Sequence, residues 1–369
     1  MLIEIHMLKN YPPVNLNRDE SGAPKTCYFG NVQRGRISSQ SLKRSWRTSQ
    51  LFQQLGSYGI RTRRMPEQVA EQLRAQGIGE DFVERAQLML TGIVNKDGKE
   101  KKEGYTEQIV IYAPEDIDKL TQSVLSAIKA NVDFKKFKAS DFKKLVDGAK
   151  MRPVTADIAL FGRMVTSDCF RDVDAAMQVA HAISTHAVNR ESDYFTAVDD
   201  LLKSDEVGAG MMGDVDYNSC CYYEYASLDV DQLRENLEYT PECDALVKRL
   251  IPTLIKTMAL TNPSGKQNTF AGQVFPALIL IECKQDKIPL SYVNAFEVPV
   301  TTYGGKGIVN NSIDKLAEHV RAMDAAWQLQ VAHRVWLAPQ HEGALELKGE
   351  AIASFPALLD AVAAWIEEE

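Results

Sequence analysis

The chain has 369 residues, 45% of them hydrophobic and 25% charged, enough apolar material for a full core in one large domain with insertions or in two smaller ones. No run of about 18 or more uncharged apolar residues occurs, and Glu4 and His6 interrupt the N-terminus where a signal peptide needs an unbroken apolar stretch, so a cytoplasmic protein without membrane contact is expected. The net charge of −8 is uneven: residues 1–64 hold eleven Lys and Arg against three acids, a net +8, which leaves −16 on the other 305. A basic segment on an acidic body suits displacement of counterions from phosphates rather than nonspecific association.

In chain order, Leu2 to Leu8 reads as a strand entering a core. Residues 10–35, with Pro12, Pro13, Gly22, Pro24, Gly30 and Gly35, read as a long loop of the kind that orders on a partner. Residues 36–55 predict a helix that Ser38 or Ser39 caps and that Leu42, Trp46, Leu51 and Leu55 face inward. Pro66 to Gln76 and Glu80 to Leu90 are amphipathic helices within an insertion that runs to residue 150.

A strand is expected over Val154 to Phe161, and a helix over Asp174 to Val188 with Ala176, Val179, Ala180 and Ile183 on one side. Residues 191–218, with Gly208, Gly210 and Gly213, read as a projecting hairpin or arm. Then come a strand over Ser219 to Tyr225, a helix near Cys243 to Leu260, a strand over Ala277 to Glu282, and helices near Ser312 to Leu337 and Ser354 to Glu368. Insertions apart, the order fits an α+β chain with a ferredoxin-like sheet, with the helix at 174–188 surplus.

Cys27, Cys169, Cys220, Cys221, Cys243 and Cys283 show no CxxC spacing, and His181 and His186 stand five apart, off the spacing of a helical metal pair. No metal or other cofactor is therefore expected, and the histidines read as structural for want of a partnered nucleophile. The chemistry concentrates instead in Arg34-Gly35-Arg36-Ile37-Ser38-Ser39-Gln40-Ser41-Leu42-Lys43-Arg44-Ser45-Trp46-Arg47. On a helix from Ser39, one face presents Gln40, Lys43, Arg44 and Arg47. The helix start, with Arg36 before it and serines at 38, 39 and 41, adds short donors for phosphate or 2′-hydroxyl oxygens.

The stretch RISSQSLKRSWR, with Leu16-Asn17-Arg18-Asp19 upstream, resembles the N-terminal signature of the CasC-type backbone subunit of the type I-E CRISPR Cascade complex, in the repeat-associated mysterious protein (RAMP) superfamily. Asp157 to Met164, Ala180 to His186, Asp193 to Leu201, Gly265-Lys266-Gln267 and Pro289 to Glu297 carry the resemblance onward, over roughly residues 1 to 300. It implies a ferredoxin-like (RRM-like) palm with inserted helical fingers and a protruding thumb hairpin. On this chain those would be palm over 1–65, fingers over 66–150, palm over 151–190, thumb over 191–218, palm over 219–300 and a C-terminal helical region over 301–369.

It also implies a non-catalytic subunit whose partners are CRISPR guide RNA, copies of itself in a helical filament, other Cascade subunits and target DNA paired to the guide. Carried over by position, Arg18, Lys25, Gln40, Lys43, Arg44 and Arg47 would hold guide phosphates, Met164 would pack against bases beside a kink, and Tyr194, Phe195 and Val198 would belong to the thumb. Arg36, Ser38, Arg163 and Lys266 complete the candidate RNA-contacting set. Aromatic and thioether groups bind any base and cations any phosphate, which lets one protein serve every spacer.

Each assignment has a plainer reading: Met164 as core filler, Tyr194 and Phe195 as satellite core, and Lys266 as an ordinary lysine without a P-loop around it. Where related chains carry lysines after the AFE segment, Val298 to Tyr303 precedes Lys306, the one residue there to which a phosphate role is extended. The alternative function is metal-dependent RNA cleavage with Asp19 and Glu20 as ligands, as in other members of the superfamily. A protein-only scaffold is the third.

Overall fold

The computed structural model describes every residue except 96, 131–133, 147–153, 166, 168, 198–210, 240, 342 and 368–369, with 135 and 145 described by backbone alone. The first stretch of chain forms β1 (Leu2–Asn10), β2 (Thr26–Phe29), β3 (Val32–Ile37), α1 (Ser39–Arg47) and α2 (Gln50–Gln53). Next come β4 (Ile60–Thr62), α3 (Met65–Ala75), α4 (Glu80–Thr91), β5 (Val110–Tyr112), α5 (Pro114–Lys129), α6 (Ala139–Leu145) and α7 (Ala156–Phe161). Then follow β6 (Met177–Val179), β7 (Ala182–Ser184), β8 (Glu191–Ala197), β9 (Met211–Tyr217), β10 (Cys221–Asp229), α8 (Val230–Asn236) and α9 (Pro241–Leu260). The chain closes with α10 (Gln267–Phe270), β11 (Leu278–Lys284), α11 (Ile308–Trp327), β12 (Val331–Leu337), β13 (Glu350–Ala351) and α12 (Phe355–Glu367). It forms an α+β fold of two compact units: Met1–Gln54 with Met177–Val230 and Leu246–Glu369, and Leu55–Ala176 with Asp231–Ala245.

In the first unit the sheet order is β13-β12-β11-β1-β10-β7-β3-β2, with β6 also paired to β10. Among the four inner strands β11, β1, β10 and β7 each neighbouring pair is antiparallel. Strand β1 is buried from Leu2 to Lys9 because it is central. Alternate residues serve two faces: Glu4, His6 and Leu8 stand beside Glu282, Leu280 and Leu278 of β11. On that face Leu8, Tyr223, Tyr292, Leu316 and Val320 form a continuous core, and α11 packs on β1.

Two carboxylates are buried in that core and each is paired with a buried cation. Glu282 accepts from Arg334 Nε at 2.7 Å, and Glu4 pairs with Lys284 and accepts from Tyr225. Between them His6 lies against Tyr292 with ring centroids 4.7 Å apart. His6 Nδ1 lies 2.8 Å from Tyr223 Oη, and that hydroxyl also accepts the Tyr292 N–H at 3.0 Å. Burial lowers the His6 pKa from 6.5 to about 3, against the attraction of Glu4. The native state therefore stays neutral while the unfolded chain takes up a proton as pH drops below about 6.5, so this contribution is complete above that pH and is lost towards pH 3. We expect urea stability to fall by about 1.4 kcal/mol per pH unit through that window on this account. His6→Asn, which removes the titrating imidazole and keeps a polar group that can pair with Tyr223 Oη, should flatten the slope.

The second unit is built on helices. Leu73 of α3, Met89 of α4, Leu120 and Val124 of α5 and Phe142 of α6 meet in one core, and β4 pairs with β5 beside it. The apolar spacing of α3 and α4 predicted both within a residue or two of where they lie.

Five expectations change. The loop expected over residues 10–35 contains β2 and the start of β3, paired antiparallel, and the helix expected over 36–55 follows β3 and breaks after Arg47, where Ser49 caps the separate α2. The strand expected over Val154 to Phe161 is helix α7: Asp157 Oδ1 accepts the Gly59 N–H at 2.8 Å in the first turn, and Gly162 at φ +80° ends the helix. The helix expected over 174–188 is β6 and β7, because a short apolar run does not choose between periods and the open edge of β10 supplies ladder partners for Met177–Val179 and Ser184. That removes the surplus helix from the strand–helix order. The helix expected through Leu337 ends at Trp327, where Gln328 takes a left-handed φ of 50°, and Val331–Leu337 becomes β12, paired with β11.

Candidate nucleic-acid interface

Helix α1 begins at Ser38, whose side chain accepts the Ser41 N–H at 3.3 Å, while the Ser38 N–H donates to Asn17 Oδ1 at 2.8 Å. The same amide-to-loop bond ties the helix start to the segment that carries Arg18. Leu42 and Trp46 are buried, which contributes about 2 kcal/mol or more each. That fixes which face is outward: Gln40 and Arg44 are exposed, Lys43 and Arg47 half-buried. Arg44 and Arg47 also sit in the last turn, where the helix dipole favours cations. Burial pulls the Lys43 ammonium below the ordinary lysine range, a cost that a phosphate alongside would offset.

The loop before the helix is tightly laced. Arg18 bridges Pro24, the Lys25 N–H donates to Asn17 O at 2.8 Å, and the Arg36 N–H donates to Lys25 O at 2.9 Å. Asp19 Oδ1 accepts from Ser21 N (2.9 Å), Ser21 Oγ (2.7 Å) and Ala23 N (3.0 Å), which holds its carboxyl below the usual range, the Ser21 hydroxyl foremost. Asp19 is thus explained as the organiser of a turn.

Between this loop, α1 and residues 261–265 lies a groove of about 740 Å³ lined by Asn17, Arg18, Glu20, Ser41, Arg44, Thr48, Asn262 and Gly265, among others. Gly265 is required there: a Cβ would stand 2.2 Å from Leu16 O. Next to it Lys266 is half-buried, with φ 50°, at the start of α10. Arg18, Lys25, Arg36, Ser38, Gln40, Lys43, Arg44, Arg47 and Lys266 thus all belong to the first unit.

His181 joins them. Its Nδ1 accepts from the Ser39 N–H and from Arg36 Nη1, each at 3.3 Å, and burial with Arg36 and Lys25 nearby lowers its pKa. No sequence signal separated it from His186, whose Nε2 accepts the Cys221 N–H at 3.2 Å and whose Nδ1 donates to Ala187 O at 2.8 Å.

Hairpin β8–β9 carries Tyr194, 64% exposed, and Phe195, 37% exposed, the latter lying over Gly213, where a Cβ would be 2.7 Å from its ring. Val198 lies outside the described residues. Met211 and Met212, in register with Ala197 and Thr196, are exposed beside them and were missed. Their adjacency within a glycine-rich stretch, where neither has a core to fill, was the available signal. Met164 is 89% exposed and so is not core filler.

Three other cations, Arg163, Arg34 and Lys9, are turned inward, and Lys306 is engaged by an acid. Arg163 is only 3% exposed: its guanidinium pairs with Asp116 Oδ2 at 2.7 Å and donates to Arg171 O at 3.1 Å, so it is withdrawn from the RNA-contacting set. Arg34 is buried and donates to the carbonyls of Ser184, Thr185, Phe296 and Glu297 at 2.8–3.1 Å. Lys9 is buried beside Glu224 and donates to Met258 O at 2.6 Å. Lys306 pairs with Asp314 at 2.7 Å. Glu4, His6 and Glu282 place ligand atoms within 4.8 Å of one another, but Lys284 and Arg334 already pair with the two carboxylates.

No helix among the described residues is long and apolar enough to cross a membrane. The family described as CT1975-like protein matches residues 3–365. Among solved structures the chain is similar to one described as "CRISPR RNA-guided surveillance complex, pre-nicking", with 28% identity and a TM-score of 0.86 over 99% of this chain and 100% of that one. A second, described as "CRISPR RNA-guided surveillance complex", shares the fold at 24% identity and a TM-score of 0.76, over 99% and 100%. No curated protein matches the sequence.

Proposed function

Because the chain belongs to the CT1975-like protein family, as its CasC-type motifs indicated, we propose that it is a non-catalytic backbone subunit of a CRISPR RNA-guided surveillance complex. It oligomerises along guide RNA, holds the phosphates and leaves the spacer bases free to pair with target DNA. One observation carries this reading: the outward face of α1 presents Gln40, Lys43, Arg44 and Arg47 beside a groove that Arg18 also lines. Cations without a pocket shaped for a particular base suit a strand of any sequence. The antiparallel order β11-β1-β10-β7 supports a ferredoxin-like palm, and β8–β9 with Tyr194, Phe195, Met211 and Met212 supports a thumb that contacts base faces. Met164 adds a third exposed thioether for the same chemistry.

The test is the nucleic acid that co-purifies with the protein: a uniform RNA of one repeat-spacer unit is expected, whose removal by nuclease and salt disperses the oligomer. An oligomer that survives nuclease unchanged would favour a protein-only scaffold. Since the Asp19 carboxylate is engaged by its own turn, guide and target incubated with magnesium should remain intact. Magnesium-dependent cuts that vanish in Asp19→Ala would establish the cleaving alternative instead.

A further inference from the structure

Strands β1 and β10 are antiparallel neighbours, so the segment that follows β1 and the segment that precedes β10 leave the sheet at the same end. The ladder continues past the strands: the Tyr11 N–H donates to Cys220 O at 3.0 Å, and Val14 and Asn218 exchange bonds of 2.8 and 3.0 Å. One residue further, the chains diverge, one into the Arg18 loop and the other back into hairpin β8–β9.

At that fork stands Asn15, fully buried. Its Nδ2 donates twice, to Gly22 O at 2.9 Å and to Asp216 O at 2.8 Å. Gly22 closes the Asp19 turn, whose N–H donates to Asp19 O at 3.2 Å, so the first bond holds the loop that carries Arg18. Asp216 is in β9 opposite Ser192, and its carboxylate is held by Arg190 and Ser192. Tyr194 and Asp214 form the pair two residues on, which puts Tyr194 on the same face of the ribbon as Asp216. A single amide therefore spans a cationic loop and the root of an aromatic hairpin. A buried primary amide has two donors in a fixed fork, and no shorter or singly donating side chain satisfies both carbonyls.

We propose that Asn15 is a positioning residue that sets the Arg18 loop and the β8–β9 hairpin in one register, so that a phosphate held by Arg18 and a base met by Tyr194 are bound as a unit. This rests on the RNA-binding reading above and adds that the two interactions are energetically coupled through one side chain. The Val14–Asn218 bonds join backbone to backbone and do not involve the Asn15 side chain, so replacing it is expected to keep the sheet end.

The experiment is a double-mutant cycle in full-length protein binding a single-stranded repeat-spacer RNA, repeated with an unrelated spacer. Arg18→Ala, Tyr194→Ala and the pair are measured in the native background, in Asn15→Ala and in the near-isosteric Asn15→Asp, which swaps a donor for a carboxylate facing two carbonyls. In the native background the pair should lose about threefold or more less than the product of the single losses. In either Asn15 background the losses should multiply. Equal coupling with and without Asn15, or no coupling in the native protein, overturns the proposal. An Asn15 with only a structural role would weaken all arms alike and leave the coupling intact. If Arg18→Ala and Tyr194→Ala each leave RNA binding unchanged, the coupling falls alone; if the native protein does not bind the RNA, the RNA-binding reading falls with it.

Discussion

Replacing Lys43, Arg44 and Arg47 together by alanine is expected to weaken guide RNA binding about a hundredfold or more at physiological salt, from about 1 kcal/mol per charged interaction. The three side chains share the outer flank of α1 while Leu42 and Trp46 hold the inner one, so the substitutions remove charge without opening the core. Alanine is also a good helix former, and Ser38 still caps the first turn. Two signatures separate phosphate gripping from base readout. The plot of log affinity against log salt should flatten by about two units, at roughly 0.7 for each single-strand phosphate that is no longer neutralised. The weakening should also be the same for spacers of unrelated sequence. A weakening that depends strongly on spacer sequence would mean that α1 reads bases, and the role given to it would be wrong.

The second large effect is on stability. Arg163→Met should cost about 3–5 kcal/mol, because it leaves Asp116 in the interior without its cation. Burial already pushes the Asp116 carboxyl up despite the opposing attraction of Arg163, and the Ala113 N–H donates to the same carboxylate at 2.9 Å. Arg163→Met combined with Asp116→Asn should recover much of the loss, since the amide oxygen keeps the Ala113 bond and no charge stays buried. Urea unfolding of the four proteins measures this cycle. Under conditions where Arg163→Met is folded, its salt slope for RNA should equal the native one. A reduced slope with unchanged stability would return Arg163 to the phosphate-contacting set.

What the sequence determined by itself was whatever local periodicity and composition encode. The basic helix was legible because Leu42 and Trp46 assign its buried face and leave Gln40, Lys43, Arg44 and Arg47 no other direction. Helices α3 and α4 were legible from long amphipathic runs, and the hairpin from its glycines and exposed aromatics. The family emerged from motifs read in order, and the match over residues 3–365 bears it out.

Only the tertiary structure decided what depends on neighbours distant in sequence. Met177–Val179 and Ala182–Ser184 are strands because β10 and β3 offer backbone partners, and a short run with helical spacing carries no record of that edge. A cation's one-letter code is equally silent on its surroundings: Arg163 turns to Asp116, Arg34 to four carbonyls and Lys9 to Glu224, whereas Arg18 and Arg44 line an open groove. Likewise Asn15 looks like any loop asparagine until the antiparallel pairing of β1 and β10 brings residue 216 beside residue 22. Charge and spacing follow from local chemistry, but desolvation and hydrogen-bond partnership belong to the packed chain, and these two decide which charges remain available to a ligand.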